Sequence, residues 1–479
     1  MSSCMEIPSS LVKTKETARI VIIGAGASGI AAATRLLEQG FKHVTVFEAE
    51  DRIGGRINTI PFGENVMDLG AQWCHGEGGN VVYEKVKDLD VLKPTGEYQM
   101  HFLRSNKDIL SEGQSRAIAE FLATFKVDEN YEGSVGDFVT QLYWKDAVKD
   151  TDNKTVAKEA LDCMKKVICT SDACDHLFEL STRNHLNFKE CDGDQNLSWK
   201  DKGFWVFLSL LLGADKDKPG DQGSLKGHVR LNRRIAEINW SGSGELLLRC
   251  WNGEIVRADH VICTVSLGVL KEKHPKLFVP PLPSPKLKAI DGLNLGTVNK
   301  LILEFEEQPL PEPMLDVMFL WVEADLRELQ AGEFFWLESL CGFHRVDGQP
   351  RILEGWIIGA HARYMETLTE EKVLEGIQWL FRKFCTFDVP HPKRFLRTQW
   401  HSNPNFRGSY SYYPTYSDEI RAARSDLESP LSNMAGNPRL QFAGEASSRD
   451  HFSTVHGATE SGWREADRLI EFYKGRDEI

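Results

Sequence analysis

Residues 19–56, RIVIIGAGASGIAAATRLLEQGFKHVTVFEAEDRIGGR, constrain the fold more than any other stretch. Residues 20–23 are an apolar, β-branched run and predict a buried parallel strand. Gly24, Gly26 and Gly29 follow as G-x-G-x-x-G. The Ala-rich residues 30–39 predict a helix, which Gly40 stops. A second strand is predicted at 44–47, with Glu48 at its end. Gly24 permits the tight strand-to-helix turn, and Gly26 lets a pyrophosphate reach the free N–H groups at the helix N-terminus. Gly29 lets the helix pack closely on the strand. Glu48 falls at about the 20-residue spacing where a carboxylate accepts from ribose hydroxyls, and it disfavours a 2′-phosphate. Strand, turn, helix, strand and acid in register predict a dinucleotide site, FAD or NAD rather than NADP.

Arg52 and the run Gly54-Gly55-Arg56 come next. A basic residue just after the acid can reach back toward the pyrophosphate, and an NAD enzyme does not need this second element. With it the chain resembles the flavin-dependent amine oxidases, whose G-G-R motif serves FAD. Further motifs carry the resemblance. Residues 67–80, MDLGAQWCHGEGGN, match G-A-x-W-x-H-G, and 400–413, WHSNPNFRGSYSYY, match W-x-S-x-P-x-x-R-G-S-Y-S-Y. Residues 440–470 carry A-G-E and a last helix. Within the family the similarity is to polyamine oxidases of the animal N1-acetylpolyamine and spermine oxidase type, over roughly 19–473.

The resemblance implies an α/β fold. A discontinuous Rossmann-type FAD domain would span 18–94, 224–295 and 425–474. A substrate domain, a β-sheet flanked by helices, would span 95–223 and 296–424, after a flexible leader at 1–17. Gly70, Ala71, Gln72 and Trp73 would run beneath the flavin ring. Ile235 would meet the adenine, Trp400 would pack near the flavin, and Gly444 and Glu445 would meet the ribityl–pyrophosphate region. Thr454 and Val455 would start the helix whose positive end faces the flavin. His75 and Lys300 would be the catalytic side chains. His75 would orient or deprotonate the amine, and Lys300 would hold a water near flavin N5. Trp73, His75, Tyr410 and Thr454 would line the substrate tunnel. The FAD is expected to be non-covalent, because Ser409 stands where monoamine oxidases carry the flavin-bonded cysteine.

Several positions have a plainer reading from the residues alone. A loop histidine such as His75 is commonly structural. Lys300, in the alternating segment 296–306, would sit on a polar strand face with Ile302 and Glu304. The loop 189–199, KECDGDQNLSW, departs from the family pattern. Its Glu190, Asp192 and Asp194 are candidates for holding a distal amine, and equally for a solvated acidic loop.

The 479 residues allow two or three domains. A net charge of −13 argues against nucleic acid and anionic membrane as partners. No apolar run approaches the roughly 20 residues of a membrane span; 204–214 is a core helix instead. Ten cysteines without C-x-x-C pairs indicate neither a disulfide framework nor a zinc site. The expectation is therefore a cytoplasmic monomer that oxidises a small cationic polyamine with dioxygen and uses no metal. Two other readings are a histone-lysine demethylase-like flavin amine oxidase and a non-catalytic FAD-binding protein. The chain has no room for the extra domain and inserted helices of the first, and the presence of both His75 and Lys300 weighs against the second.

Overall fold

The computed structural model describes residues 13–95, 100–148, 153–242 and 244–474. Most of the leader, one residue of the turn at 242–244 and the last five residues lie outside that description. Two six-stranded sheets organise the rest.

The first sheet is parallel except at one edge. Arg19–Ile23 lies between His43–Phe47 on one side and His260–Cys263 on the other. Pro438–Phe442 extends the sheet beyond His260–Cys263, Val229–Arg230 extends it beyond His43–Phe47, and Leu431–Ser432 closes the edge antiparallel. Strand order reverses at Arg19–Ile23, so a crevice opens at the carboxyl ends of its neighbours. Helix Ala27–Glu38 covers one face and packs on the final helix Val455–Lys474. The helix starts at Ala27, three residues before the predicted start, because only Gly24 and Gly26 are needed for the turn. Gly29 belongs to the helix, and a Cβ there would stand 1.9 Å from the Gly24 carbonyl oxygen. Gly24 itself has φ +104°, a conformation that glycine tolerates.

The second sheet runs Arg394–Arg397, Val298–Glu304, Ile352–Ile358, Leu340–Arg345, Asp316–Leu320, Met100–Arg104. It is antiparallel up to its last pair, which is parallel. Helix Glu370–Phe384 packs an apolar stripe on one face. Helix Lys154–Asp172, with Glu112–Thr124 and Val135–Leu142, packs on the other.

Three further segments are interrupted. Residues 228–240 hold two strands, Val229–Arg230 and Ile235–Asn239, separated by Asn232 at φ 54°. Leu246–Cys250 and Ile255–Ala258 form a hairpin around Asn252-Gly253. Helix Val81–Val86 is followed by a 3₁₀ turn. Among the described residues no helix is long and apolar enough to cross a membrane.

Candidate active site

A single cavity of about 1620 Å³ runs from the carboxyl ends of the first sheet to the second. At the first end it is floored by Gly24, Gly26, Ala27 and Ser28. Helix Ala27–Glu38 has no side-chain cap and no acid in its first turn, so its free N–H groups and partial positive charge face the cavity. Glu48 is buried here. Its Oε2 accepts from Ala25 N at 2.6 Å and its Oε1 from Glu50 N at 2.8 Å. Burial outweighs those bonds and raises its carboxyl above the ordinary range. Ile235 lines the outer end of the cavity beside Arg234 and Trp251.

Arg56 lines the cavity and binds Glu445 Oε1 at 3.0 Å. Glu445 is buried and also accepts from Ser411 Oγ at 2.5 Å and Ser453 N at 3.0 Å. Burial pushes its carboxyl up, but Arg56 and Arg424 outweigh that and hold it below the usual range. It thus ties together the glycine-rich loop, the segment after Ser409 and the approach to the final helix. Gly444, Thr454 and Val455 line the same wall.

Arg52 is a correction. It does not line the cavity; its guanidinium donates to the carbonyls of Gly55 at 2.7 Å and of Ile53 and Ile57 at 3.3 Å. It braces the loop that presents Arg56.

In the middle of the cavity stand Gly70, Ala71, Gln72, Trp73 and His75. A Cβ on Gly70 would lie 1.7 Å from the Arg56 carbonyl oxygen and 3.4 Å from Trp400. Backbone and indole therefore form one tight wall, and only glycine fits. Trp73 and His75 both line the cavity while the intervening Cys74 is buried away from it, as alternation on an extended segment requires. His75 Nδ1 is 2.7 Å from the Gln195 carbonyl. A carbonyl only accepts, so Nδ1 carries the proton and Nε2 is the acceptor. Burial lowers the His75 pKa below its ordinary value, against the opposing pull of that bond, and the ring is neutral at neutral pH.

Lys300 is 4% exposed, on a strand buried on both faces. The polar-face expectation fails because the hairpin Thr59–Phe62 and Asn65–Asp68, with the residues that follow it, covers that face: Ile302 packs on Phe62 and Met67. Lys300 Nζ donates to the Asp68 carbonyl at 2.7 Å and to Gln72 Oε1, and pairs with Glu354 Oε1 at 3.0 Å. Glu354 is fully buried, and its Oε2 lies 3.0 Å from His344 Nε2. Burial pushes the Glu354 carboxyl up, yet Lys300 and His344 overcome it and hold it at about 2. Trp356, opposite Lys300 in the ladder, lies 5.3 Å from both Lys300 Nζ and the Trp73 ring.

At the far end Tyr410 lines the wall and donates to the Thr170 carbonyl. Asp172, His185 and Glu190 line the cavity too. Asp172 accepts from Asn184 Nδ2 at 2.7 Å and sits 3.4 Å from His185 Nε2. Asp192 and Asp194 are the other corrections, since neither lines the cavity. Their backbone carbonyls accept from Glu77 N and Gly76 N, and the Asp194 side chain accepts from Asn196 N. The acidic loop supports the His75 segment through its backbone. Sequence reasoning missed Asp172, His185, Glu354, His344 and Trp356. Glu354 had one usable signal, a carboxylate inside the otherwise apolar strand ILEGWII.

A donor-lined cradle, a buried ribose-type acid and a glycine–tryptophan wall fit a flavin dinucleotide. Comparison with known proteins agrees. Residues 27–470 match the family model described as flavin containing amine oxidoreductase. The chain is 31% identical to a peroxisomal N(1)-acetyl-spermine/spermidine oxidase of Bos taurus, with 95% of each chain covered. It is 30% identical to the protein of the same name from Homo sapiens, with 98% of each covered. It is 29% identical to a probable polyamine oxidase 5 of Arabidopsis thaliana, with 95% of this chain and 99% of the relative covered. An engineered triple variant of putrescine oxidase superposes with a TM-score of 0.65 at 16% identity, over 95% of this chain and 99% of that one, a likeness of fold. With its cradle, its glycine–tryptophan wall and a family match over nearly its whole length, this chain belongs to the flavin-containing amine oxidoreductases.

Proposed function

We propose that the chain is an FAD-dependent polyamine oxidase. The observation that carries this is the continuity of one cavity, which joins a dinucleotide cradle to an aromatic tunnel with His75 and Lys300 between them. It exceeds the roughly 300–1,000 Å³ of a usual ligand pocket, so it has room for a dinucleotide and a chain-like substrate end to end. Bound non-covalently, FAD supplies acceptance of a hydride and its delivery to dioxygen. The Ser409 hydroxyl is tied to the Val298 backbone and cannot form a thioether.

The reaction is R–CH2–NH–R′ + O2 + H2O → R–CHO + R′–NH2 + H2O2. The amine nitrogen must be neutral, because its lone pair becomes the C=N bond as hydride leaves carbon. His75 Nε2, an acceptor on a neutral ring, takes a hydrogen bond from that N–H and aims the lone pair. Trp73, Trp356 and Tyr410 enclose the methylene chain and attract its other cations. Asp172 and Glu190 favour a distal ammonium. Lys300 lines the cavity, and to hold the water used in hydrolysis or near oxygen its ammonium exchanges one of its three contacts, to Glu354, Gln72 or the Asp68 carbonyl, for that water.

The cofactor half is assigned to 18–94, 224–295 and 425–474, and the substrate half to 95–223 and 296–424. The first sheet draws its strands from the former set and the second sheet from the latter. The proposed form is a cytoplasmic monomer without nucleic-acid or membrane partners, in keeping with the net charge of −13. The two animal relatives are named peroxisomal, so a fluorescent fusion scored against a peroxisomal marker decides the compartment. The activity is tested by adding spermine, N1-acetylspermine or spermidine anaerobically to the holoenzyme. At least one should bleach the flavin, and the same amine should yield peroxide in air. A flavin left oxidised by all three refutes the reading.

A further inference from the structure

Behind the His75 loop, three side chains of metal-ligand type converge from separate segments. Cys191 Sγ, His451 and His456 offer ligand atoms that all lie within 4.8 Å of one another. Cys191 comes from the acidic loop, His451 from the turn before the final helix, and His456 from that helix's first turn. Cys191 Sγ and His456 Nε2 are 3.9 Å apart. A tetrahedral zinc ion with ligands at about 2.0–2.3 Å sets neighbouring ligand atoms about 3.3–3.6 Å apart, so the side chains close by up to about an ångström on binding.

A second observation points to a cation. His451 Nδ1 lies 2.7 Å from Glu460 Oε2. The carboxylate holds the proton on Nδ1 and leaves Nε2 as the ligand atom, the way a carboxylate behind a metal-binding imidazole orients the ring. Glu460 and Asp192 face Cys191, and Glu460, Asp450 and Lys189 face His451, so three carboxylates surround the cluster against one cation, which is paired with Asp450. Cys191 and His456 are buried and His451 is half-buried.

We propose that Cys191, His451 and His456 form a zinc-binding site, with water in the fourth position. One thiolate and two imidazoles suit zinc rather than magnesium or calcium. On binding, the Cys191 S–H bond breaks, its proton goes to solvent and a Zn–S bond forms, with no change of oxidation state. The ion would clip the loop that carries Gln195, whose carbonyl holds His75, to the helix that starts with Val455. The site stands apart from the amine chemistry and does not depend on the substrate assignment.

The test is X-ray absorption at the zinc edge on the FAD-loaded full chain, stripped with chelator and returned to one equivalent of zinc. One sulfur at about 2.3 Å and two nitrogens at about 2.0 Å are expected. Cys191→Ser should lose the sulfur shell and weaken binding more than tenfold. Glu460→Gln should weaken it about 10- to 100-fold, with FAD content unchanged. A spectrum without sulfur, zinc not retained at equivalence, or binding indifferent to both substitutions overturns the site. The wild-type spectrum needs no variant, so a misfolded Cys191→Ser leaves the answer decidable.

Discussion

The two ends of the cavity are built differently. The floor of the cradle comes from one contiguous stretch, 24–56, and works mostly through backbone: free N–H groups, a glycine-on-carbonyl contact and the buried Glu48. The amine end is assembled from side chains on segments far apart in the chain: Trp73, Asp172, His185, Lys300, Trp356 and Tyr410. Its central contact, Lys300 to the Asp68 carbonyl, spans 232 positions. A backbone site tolerates change at most side chains and none at its glycines. A side-chain site should degrade residue by residue while the cofactor stays bound.

The largest expected effect breaks the cradle. Gly29→Val would drive Cβ into the Gly24 carbonyl, which is backbone and cannot yield. The variant should be recovered without flavin or not folded at all, as read from the flavin absorbance of the purified protein. Stoichiometric FAD in it would sink the account of a cradle built on close helix–strand approach.

His75→Ala tests the other end. A positioned acid–base group contributes about 10²–10⁴-fold, and the rate of anaerobic flavin reduction should fall by that much with FAD content unchanged. The sign of the pH dependence follows from burial. The His75 pKa lies below its ordinary value, so the ring is already neutral above about pH 6.5. Any rise in wild-type reduction rate above pH 7 therefore belongs to the substrate amine and should persist in His75→Ala. Only a more acidic limb should vanish.

Lys300→Met should cost about 10²-fold in turnover, the usual loss of one positioned polar group, with the flavin still bound. Turnover at the wild-type rate would leave Lys300 a structural partner of Glu354.

Glu354→Gln is the mildest. It weakens a buried ion pair while keeping a side chain of the same shape, and about 1–3 kcal/mol of stability is at stake. Glu354 is held at about 2, below the ordinary glutamate value of about 4.3. Its contribution is complete above pH 4.3 and is lost as pH falls toward 2. The gap in melting temperature between wild type and variant should be widest at neutral pH and close on acidification. A gap independent of pH would mean that Glu354 acts through packing rather than charge.

What the sequence determined by itself is what neighbouring residues settle among themselves. Strand, glycine turn, helix and acid at 20–48 are dictated by local sterics and periodicity, and so this part of the fold is legible in the sequence. Gly70 and the serine before Tyr410 were legible only through the family resemblance, and the contact of Gly70 with Trp400 only in the fold. Tertiary structure decided which distant side chains meet. Nothing near Glu354 in the chain says that Lys300 and His344 will flank it, and nothing near Asp192 or Asp194 says that their backbone, rather than their charge, will serve the site. Arg52 shows the limit most plainly: a cation in the right motif found nearer acceptors in its own loop. Backbone conformation is set over a few residues, whereas the partner of a buried charge is chosen by which segments pack together, and packing is a property of the whole chain.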